Sequence, residues 1–261
     1  MVAKEKQRLD QLLVDRGLAE SRSRAQAYVM AGAVYSGETK LQKAGTQIAV
    51  DAPLSVRSKE HPWVSRGGLK LDHGLKEFKW SMSGKIVVDV GASTGGFTDV
   101  CLHHGAAKVY AVDVGHGQLA WKLRQHDDVV VLEKTNARYL TQAEIPDPID
   151  FIVCDASFIS LKTVLPATMN LACSGAKMIA LIKPQFEVGK GRVGKGGVVR
   201  DPELHREVCD DIHAWLSAQP GWQVAGITTS PIKGPEGNVE FLIGAQFNDT
   251  PEKPGADDHQ D

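Results

Sequence analysis

Four charged residues carry the chemistry that this sequence suggests. They are two lysines and two carboxylates that lie at the ends of predicted elements: Lys70, Asp155, Lys183 and Glu240. A lysine that burial and a neighbouring cation have made neutral can take a proton from an alcohol, and carboxylates can then stabilise its charged form. We assign this role to Lys183. Each residue taken alone is more often a solvated charge at an element boundary, so the hypothesis depends on all four meeting in one pocket.

The predicted sheet explains how these residues can meet. Asp155 and Lys183 each follow a continuously apolar strand, of the kind that is buried on both faces of a parallel sheet. Ligands of an open parallel sheet lie beyond the carboxyl ends of its strands. Glu240 lies in a further predicted strand, 238–244, and reaches the same edge if that strand runs antiparallel. Lys70 follows a glycine pair that leads into a helix, and we expect it to tune the network and hold the hydroxyl.

A glycine-rich turn, 91–99, follows the apolar strand 85–90 and predicts a nucleotide-type ligand site at the first corner of a doubly wound sheet. A dinucleotide fingerprint requires glycine where Ser93 stands, whereas S-adenosylmethionine has no pyrophosphate and no such requirement. A glycine turn alone more often marks some other α/β ligand site. Asp113 ends the next strand, where its carboxylate can accept hydrogen bonds from ribose hydroxyls. The predicted cofactor residues are Asp89, Gly91, Ser93, Thr94, Gly95, Gly96, Phe97, Asp113 and Asn136.

The predicted cofactor site assigns a role to Asn136 and a reaction to the four charged residues. Asn136 is placed to meet the adenine, although an asparagine that satisfies its own turn is equally plausible there. With a methyl donor in the pocket, the four charged residues suit in-line attack by a ribose 2′-hydroxyl on the sulfonium methyl, with loss of the hydroxyl proton. Asp155 and Glu240 would then orient Lys183 and the ribose.

Charge is uneven along the 261 residues, since the first 70 residues carry 12 basic and 7 acidic side chains. This basic segment reads as two short helices, the second capped by Ser21 or Ser23, that lead into a small hairpin sheet. A basic module indicates a polyanionic partner, with an ordinary solvated face as the alternative. The residues that we expect to contact this polyanion, here and around the cleft, are Arg8, Arg22, Arg24, Lys40, Arg66, Lys190 and Arg192.

Several segments carry a resemblance to a known family. The N-terminal run from Arg8 to Asp51 resembles the S4 RNA-binding module, which suits recognition of RNA shape and backbone. The four charged residues resemble the Lys-Asp-Lys-Glu tetrad of FtsJ-type ribose 2′-O-methyltransferases. The chain from Arg8 to Gln246 is similar to the TlyA family of hemolysin A-like ribosomal RNA methyltransferases. The segments that carry this likeness are 65–71, 89–99, 113–119, 154–160, 183–187 and 237–241.

The resemblance implies methylation of cytidine ribose in ribosomal RNA, with S-adenosylmethionine as cofactor and ribosomal subunits rather than DNA as partners. It implies an α/β Rossmann-like methyltransferase domain with a small α+β RNA-binding domain before it. We expect the RNA-binding domain over 1–60, a linker over 61–65, the methyltransferase domain over 66–247 and an acidic, disordered tail over 248–261.

Other function classes receive less support. The segment 189–196 imitates a phosphate-binding loop, but Gly196 stands where a magnesium-binding hydroxyl is needed, so we read it as a mobile lid that meets RNA phosphates. The spacing of cysteine and histidine predicts no metal site, and Cys154 reads as a packing residue. The apolar runs are too short for a membrane span and the N-terminus lacks a signal peptide, so we expect a cytoplasmic protein. A non-catalytic ribosome-binding factor and a membrane-lytic protein remain as alternatives.

Overall fold

The structure is a computed structural model that describes residues 5–30, 32–56, 61–189, 191–234 and 236–249. The chain divides into two compact units, Met1–Pro62 and Trp63–Asp261, and each is described by itself. The division lies within the segment that the sequence analysis takes as a linker.

The N-terminal unit combines two helices with two small antiparallel sheets in its described part. Its elements are β1 (Lys6–Arg8), α1 (Leu9–Asp15), α2 (Arg22–Met30), β2 (Val34–Ser36), β3 (Thr39–Lys40), β4 (Gln47–Ala49) and β5 (Leu54–Val56). Strand β1 pairs with β4, whereas β2 pairs with both β3 and β5. The expected single hairpin sheet was therefore wrong, because a strand precedes the first helix and recruits β4. Ser21 accepts a hydrogen bond from the Arg24 amide at 3.2 Å, as a cap of α2 does.

The larger unit is built around a seven-stranded sheet, counted over the described residues. Its strands are β6 (Ile86–Val90), β7 (Lys108–Val112), β8 (Val129–Leu132), β9 (Ile149–Cys154), β10 (Ala172–Ile182), β11 (Trp222–Thr229) and β12 (Phe241–Phe247). They lie in the order β11-β12-β10-β9-β6-β7-β8, with β6 to β10 parallel and β12 antiparallel to both of its neighbours.

Helices cover both faces of this sheet. They are α3 (Gly68–Phe78), α4 (Gly96–His103), α5 (Trp121–Arg124), α6 (Leu161–Val164), α7 (Pro166–Met169), α8 (Pro184–Glu187) and α9 (Pro202–Ser217). The central strands are apolar throughout because side chains on both of their faces enter a core, as Val87 and Val88 do on opposite faces of β6. None of the helices in the described ranges is long and apolar enough to span a bilayer.

The antiparallel strand β12 decides where Glu240 lies. Its first residue, Phe241, pairs with Ile182 at the end of β10, so the residue before β12 and the residue after β10 share one edge. The strand begins at Phe241 rather than at Asn238, which puts Glu240 just outside it. The expected orientation of β12 therefore holds, while its expected start was three residues too early.

Candidate active site

The four charged side chains of the sequence analysis form a continuous chain of ion pairs. Lys70 Nζ lies 2.7 Å from the Glu240 carboxylate and 3.5 Å from Asp155 Oδ2. Lys183 Nζ lies 2.6 Å from Asp155 Oδ1. The order is therefore Glu240, Lys70, Asp155, Lys183. Among the described residues, Glu240 pairs with Lys70 rather than with Lys183, so an effect of Glu240 on the orientation of Lys183 would pass through Lys70 and Asp155.

Burial makes this chain of charges costly to break. The side chain of Glu240 is 2% exposed and each lysine side chain is 7% exposed, whereas Asp155 is 20% exposed. Two positive and two negative charges balance, which is how a desolvated site tolerates ions. Asp155 is the most accessible member and lies between the two lysines.

Two hydrogen bonds fix the Lys183 ammonium in addition to its ion pair. It donates to the main-chain oxygen of Asp155 at 3.0 Å and to Ser157 Oγ at 2.8 Å. The contact with Asp155 Oδ1 is close in distance but lies off the direction of a hydrogen bond. β10 ends at Ile182 and α8 begins at Pro184, so Lys183 lies between the two elements at the sheet edge. Proline suits the first helical position because its missing N–H needs no partner there. Ser157 was not predicted as a site residue, although it lies only two residues beyond Asp155.

A cavity of about 450 Å³ adjoins this chain of charges. Its lining includes all four charged residues and, from other elements, Ser65, Arg66, Phe97, Gln185, Gly197 and Asn238. A second cavity of about 340 Å³ is lined by Asp113 and Asn136. Gly91, Ser93, Asp155, Ser157 and Phe158 line both. The two spaces therefore meet at the turns that follow β6 and β9.

The glycine turn after β6 brings these two cavities together. Gly91 has a φ of +82°, and a Cβ on it would lie 2.9 Å from Ala156 Cα, so only glycine fits between the two turns. Ser93 adopts a φ of +49°, and its amide donates to Asp113 Oδ2 at 2.7 Å. The carboxylate that follows β7 is thereby held at the turn.

Most of the predicted cofactor residues line a cavity, but two do not. Gly91, Ser93, Thr94, Gly96 and Phe97 line the first cavity, and Asp113 and Asn136 line the second. The two cavity linings described above include neither Asp89 nor Gly95, so the cofactor role of these two residues stays a prediction.

Asp89 is fully buried between β6 and α4. Thr98 Oγ1 donates to its Oδ2 at 2.6 Å, and desolvation raises the pKa of Asp89 to about 7. Gly95 has a φ of +92° at the start of α4, where a Cβ would meet Leu123. In the described structure, Asp89 holds α4 through Thr98, and Gly95 makes room for Leu123.

Asp113 and Asn136 are also engaged by the protein itself. Asp113 Oδ1 accepts a hydrogen bond from the Gly115 amide at 2.6 Å, and each of its oxygens retains a second lone pair. Asn136 Oδ1 accepts from the Arg138 amide at 3.1 Å. The turn role of Asn136 that the sequence left open is thus present, and the same residue lines the second cavity.

An exposed aromatic side chain marks the mouth of both cavities. Phe158 is 89% exposed, has a φ of +65°, and lies 5.0 Å between ring centroids from Phe186. An apolar ring held outward in an unfavourable backbone conformation is typical of functional sites. The sequence analysis missed Phe158, since an isolated phenylalanine carries no signal of exposure. Cys154 is buried and desolvation raises the pKa of its thiol to about 12, as expected of a packing residue.

Several arginines predicted to contact RNA form internal ion pairs or hydrogen bonds. Arg8 binds the buried Asp10 through two nitrogens at 3.0 and 2.9 Å, and Arg22 binds the same carboxylate at 3.1 Å. These partners hold the pKa of Asp10 well below its usual range. Arg24 Nε donates to the Tyr28 hydroxyl at 3.3 Å. Both Arg8 and Arg22 keep about half of their side chains exposed.

Of the RNA contacts predicted in the larger unit, Arg66 lines the first cavity, whereas Arg192 is absent from both described cavity linings. Arg66 donates to the main-chain oxygen of Lys233. Arg192 forms a two-armed ion pair with Glu207 of α9. Lys190 lies outside the described residues. These pairs are exposed and each contributes little to stability, so an incoming phosphate can replace the partner.

The comparison with known proteins agrees with this geometry. The model of the FtsJ-like methyltransferase family matches residues 63–247. The chain belongs to this family. The S4 domain model matches residues 7–52, so the family prediction made from the sequence motifs is confirmed. The FtsJ-like unit is the one that contains both cavities.

Three relatives match most of the chain. "Putative rRNA methyltransferase YqxC" of Bacillus subtilis is 51% identical over 91% of this chain and 85% of its own length. "16S/23S rRNA (cytidine-2′-O)-methyltransferase TlyA" of Mycobacterium tuberculosis is 48% identical over 90% of this chain and 88% of its own. A solved structure described as "Putative hemolysin from Streptococcus thermophilus" is 42% identical, with a TM-score of 0.72 over 95% of this chain and 91% of that chain.

Proposed function

We propose that this FtsJ-like methyltransferase moves the methyl group of S-adenosylmethionine to the ribose 2′-hydroxyl of a cytidine in ribosomal RNA, with Lys183 as general base. The observation that carries the proposal is the Lys183 amine, buried at the end of a balanced chain of charges and 2.6 Å from Asp155 at the border of two cavities. The cytidine and the ribosomal RNA come from the name of the Mycobacterium tuberculosis relative, which shares nearly half of its residues with this chain.

The chain's own residues fit the methyl donor. Asp113 offers carboxylate oxygens to a ribose in the second cavity, and the backbone around Gly91 leaves room between the two cavities. Ser93 puts a side chain where a pyrophosphate would need bare backbone. When bound, S-adenosylmethionine supplies an electrophilic methyl group on a positively charged sulfur. Gly91, Ser93 and Asp155 line both cavities, so a donor held by these residues would lie next to the space that Lys183 lines.

The proton of the attacking hydroxyl passes to Lys183. After Lys183 has released its own proton to solvent, the remaining network of Lys70, Asp155 and Glu240 carries a net charge of −1. A proton that arrives on the amine restores neutrality, and Asp155 and Ser157 are already positioned to stabilise the ammonium. Glu240 acts indirectly. It holds Lys70, and Lys70 keeps Asp155 directed between the two lysines.

The substrate is a large polyanion rather than a small alcohol. The chain carries an S4 domain, and arginines and lysines occur in it and around the first cavity. We propose phosphate contacts for Arg8, Arg22, Arg24, Lys40, Arg66 and Arg192, and the same role for Lys190, which lies outside the described residues. Phe158 is placed to stack on a nucleobase at the cavity mouth. Assembled ribosomal subunits, and therefore the cytoplasm, are where such a substrate occurs.

The deciding experiment supplies ribosomal subunits that lack the modification, together with S-adenosylmethionine labelled on the methyl group. We expect label on a cytidine 2′-oxygen, located by primer extension and nuclease mapping. Lys183→Ala should abolish transfer while RNA affinity stays within twofold of the native protein. Lys177→Ala is the matched control, since Lys177 lies on the same strand but packs over Trp80, outside both cavity linings in the described structure.

Three results would contradict the proposal. Label on a base or on protein would reject ribose methylation. Unchanged transfer by Lys183→Ala would reject this lysine as the base. RNA binding with no transfer by the native protein would instead favour a non-catalytic ribosome-binding factor.

A further inference from the structure

A buried asparagine joins the glycine-rich loop to the active-site edge of the sheet. The loop, defined here as residues 191–199, contributes Gly197 to the lining of the first cavity. Asn238 is almost fully buried and uses both ends of its amide on this loop. Its Oδ1 accepts from the Val199 amide at 3.0 Å, and its Nδ2 donates to the Gly197 oxygen at 3.0 Å. The two backbone partners need an acceptor and a donor respectively, which fixes the orientation of the amide.

The anchor point is held from a second direction as well. His205 of α9 contacts the Val199 oxygen through Nε2 at 2.9 Å. Both main-chain polar groups of Val199 are therefore bound by side chains, one from α9 and one from the segment before β12. Val199 itself is buried, so this end of the loop is fixed to the core.

The rest of the loop has the composition of a movable phosphate-binding segment. Gly196 and Gly197 both have a φ of +76°, a conformation in which residues with side chains are strained. Arg192 and Lys195 supply positive charge. The ion pair of Arg192 with Glu207 is exposed, so it can open for a phosphate group at little cost. The loop thus combines a fixed end, where Gly197 lines the cavity, with a cationic part that contains Arg192 and Lys195.

Asn238 also connects the loop to Glu240, the carboxylate that pairs with Lys70. Its main-chain oxygen accepts from the Gly234 amide at 2.9 Å, and Gly234 lines the first cavity. Only Val239 separates Asn238 from Glu240. A displacement of the loop through Asn238 would therefore act on the residue that holds Lys70.

We propose that Asn238 is a positioning residue that holds the cationic loop 191–199 beside the catalytic cavity, where the loop engages phosphate groups of the RNA substrate. This inference rests on the proposed function for the identity of the substrate, while the attachment of the loop does not. Asn238 acts through the loop, because both ends of its side-chain amide are bound to loop backbone groups.

The test compares Asn238→Leu, which keeps the size and removes both hydrogen bonds, with Asn238→Asp, which keeps the acceptor for Val199 and loses the donor. The loss of one strong hydrogen bond changes an equilibrium constant about tenfold. We therefore expect trypsin to cut Asn238→Leu after Arg192 or Lys195 about tenfold faster than it cuts the native protein. The KM for RNA should rise about tenfold, while the KM for S-adenosylmethionine stays within twofold. The cleavage rate and the RNA KM of Asn238→Asp should lie between those of the native protein and those of Asn238→Leu.

Thr168→Val is the control, because it changes a buried polar side chain on α7 that has no hydrogen bond to the loop in the described structure. A purely structural role of Asn238 would lower the melting temperature without the selective change in RNA KM and would overturn the proposal. Unchanged cleavage and unchanged RNA KM would also overturn it.

A readout on the native protein covers the case in which Asn238→Leu does not fold. Hydrogen exchange at the Val199 amide should be as slow as in the core strands, and fast exchange would reject the anchor. Failure of the proposed function would give a different result. The native protein would then show no methyl transfer, while exchange at the Val199 amide and trypsin cleavage of the loop would both remain slow.

Discussion

Replacing Lys70 by methionine tests the chain of charges most directly. The substitution leaves Glu240, which is 2% exposed, without the ammonium group 2.7 Å away. At an effective dielectric constant of 20, the lost attraction is about 6 kcal/mol for that pair alone. Desolvation of the lysine in the native protein cancels part of it. Removing one partner of a buried pair costs about 3–5 kcal/mol, and we expect Lys70→Met to lower the free energy of unfolding of the larger unit by that amount.

The double variant Lys70→Met/Glu240→Gln separates stability from catalysis. It removes both charges, so no uncompensated ion remains and the free energy of unfolding should return to within about 1 kcal/mol of the native value. Methyl transfer should stay reduced by at least ~10²-fold in both variants, since proton removal contributes about that much. Lys76→Met is the control on the same helix, because Lys76 is 70% exposed and i,i+4 helix pairs such as the one with Asp72 contribute only about 0.5 kcal/mol.

Urea unfolding followed by tryptophan fluorescence measures these differences. All five tryptophans lie between residues 63 and 222, so the signal reports the larger unit without interference from the N-terminal unit. The reasoning is refuted if Lys70→Met is as stable as the Lys76→Met control. It is also refuted if the double variant is no more stable than the single one, because the loss would then not come from a stranded carboxylate.

Three further predictions concern single residues. The pKa of Asp89 in the folded protein is raised to about 7, so its contribution to stability is present at low pH and is lost as the pH rises through 7. Between pH 5 and 8 we expect the free energy of unfolding to fall by on the order of 3 kcal/mol. Asp89→Asn should remove this pH dependence from the urea midpoints. Phe158→Ala should raise the KM for RNA about tenfold without changing the melting temperature, and equal KM values would reject stacking. Lys40→Ala should reduce the slope of log RNA affinity against log salt by about one, and an unchanged slope would remove Lys40 from the RNA surface.

The sequence predicted the sheet edge better than the contacts made there. Asp155 and Lys183 could be placed together because each follows a strand too apolar to be anything but buried, and parallel strands end at one edge. The pairing of Glu240 with Lys70 could not be foreseen. It depends on the rotational position of α3 over the sheet, which short-range sequence patterns do not determine.

Asp89 and Asp113, both predicted to bind the cofactor, also show that the sequence predicts the position of a residue better than its contacts. Asp89 and Asp113 both come near the end of a strand, yet Asp89 lies inside β6 and turns toward Thr98, whereas Asp113 lies just beyond β7. Asp89 pairs with Ala111, so Asp89 lies two residues deeper in the sheet than Asp113, and the apolar strand pattern alone does not show which acid is buried. The sequence analysis also missed β11, in which Gly226 accompanies a register shift that interrupts the alternating pattern.

Gly91 and Ala156 bring the turn after β6 into direct contact with the turn after β9. A methyl group on residue 91 would overlap the backbone that immediately follows Asp155. Any side chain at position 91 would therefore displace Asp155 together with the glycine turn. We expect changes in substrate preference to arise instead at the outer rim, around Phe158 and the loops, while the joint between the two turns stays unchanged.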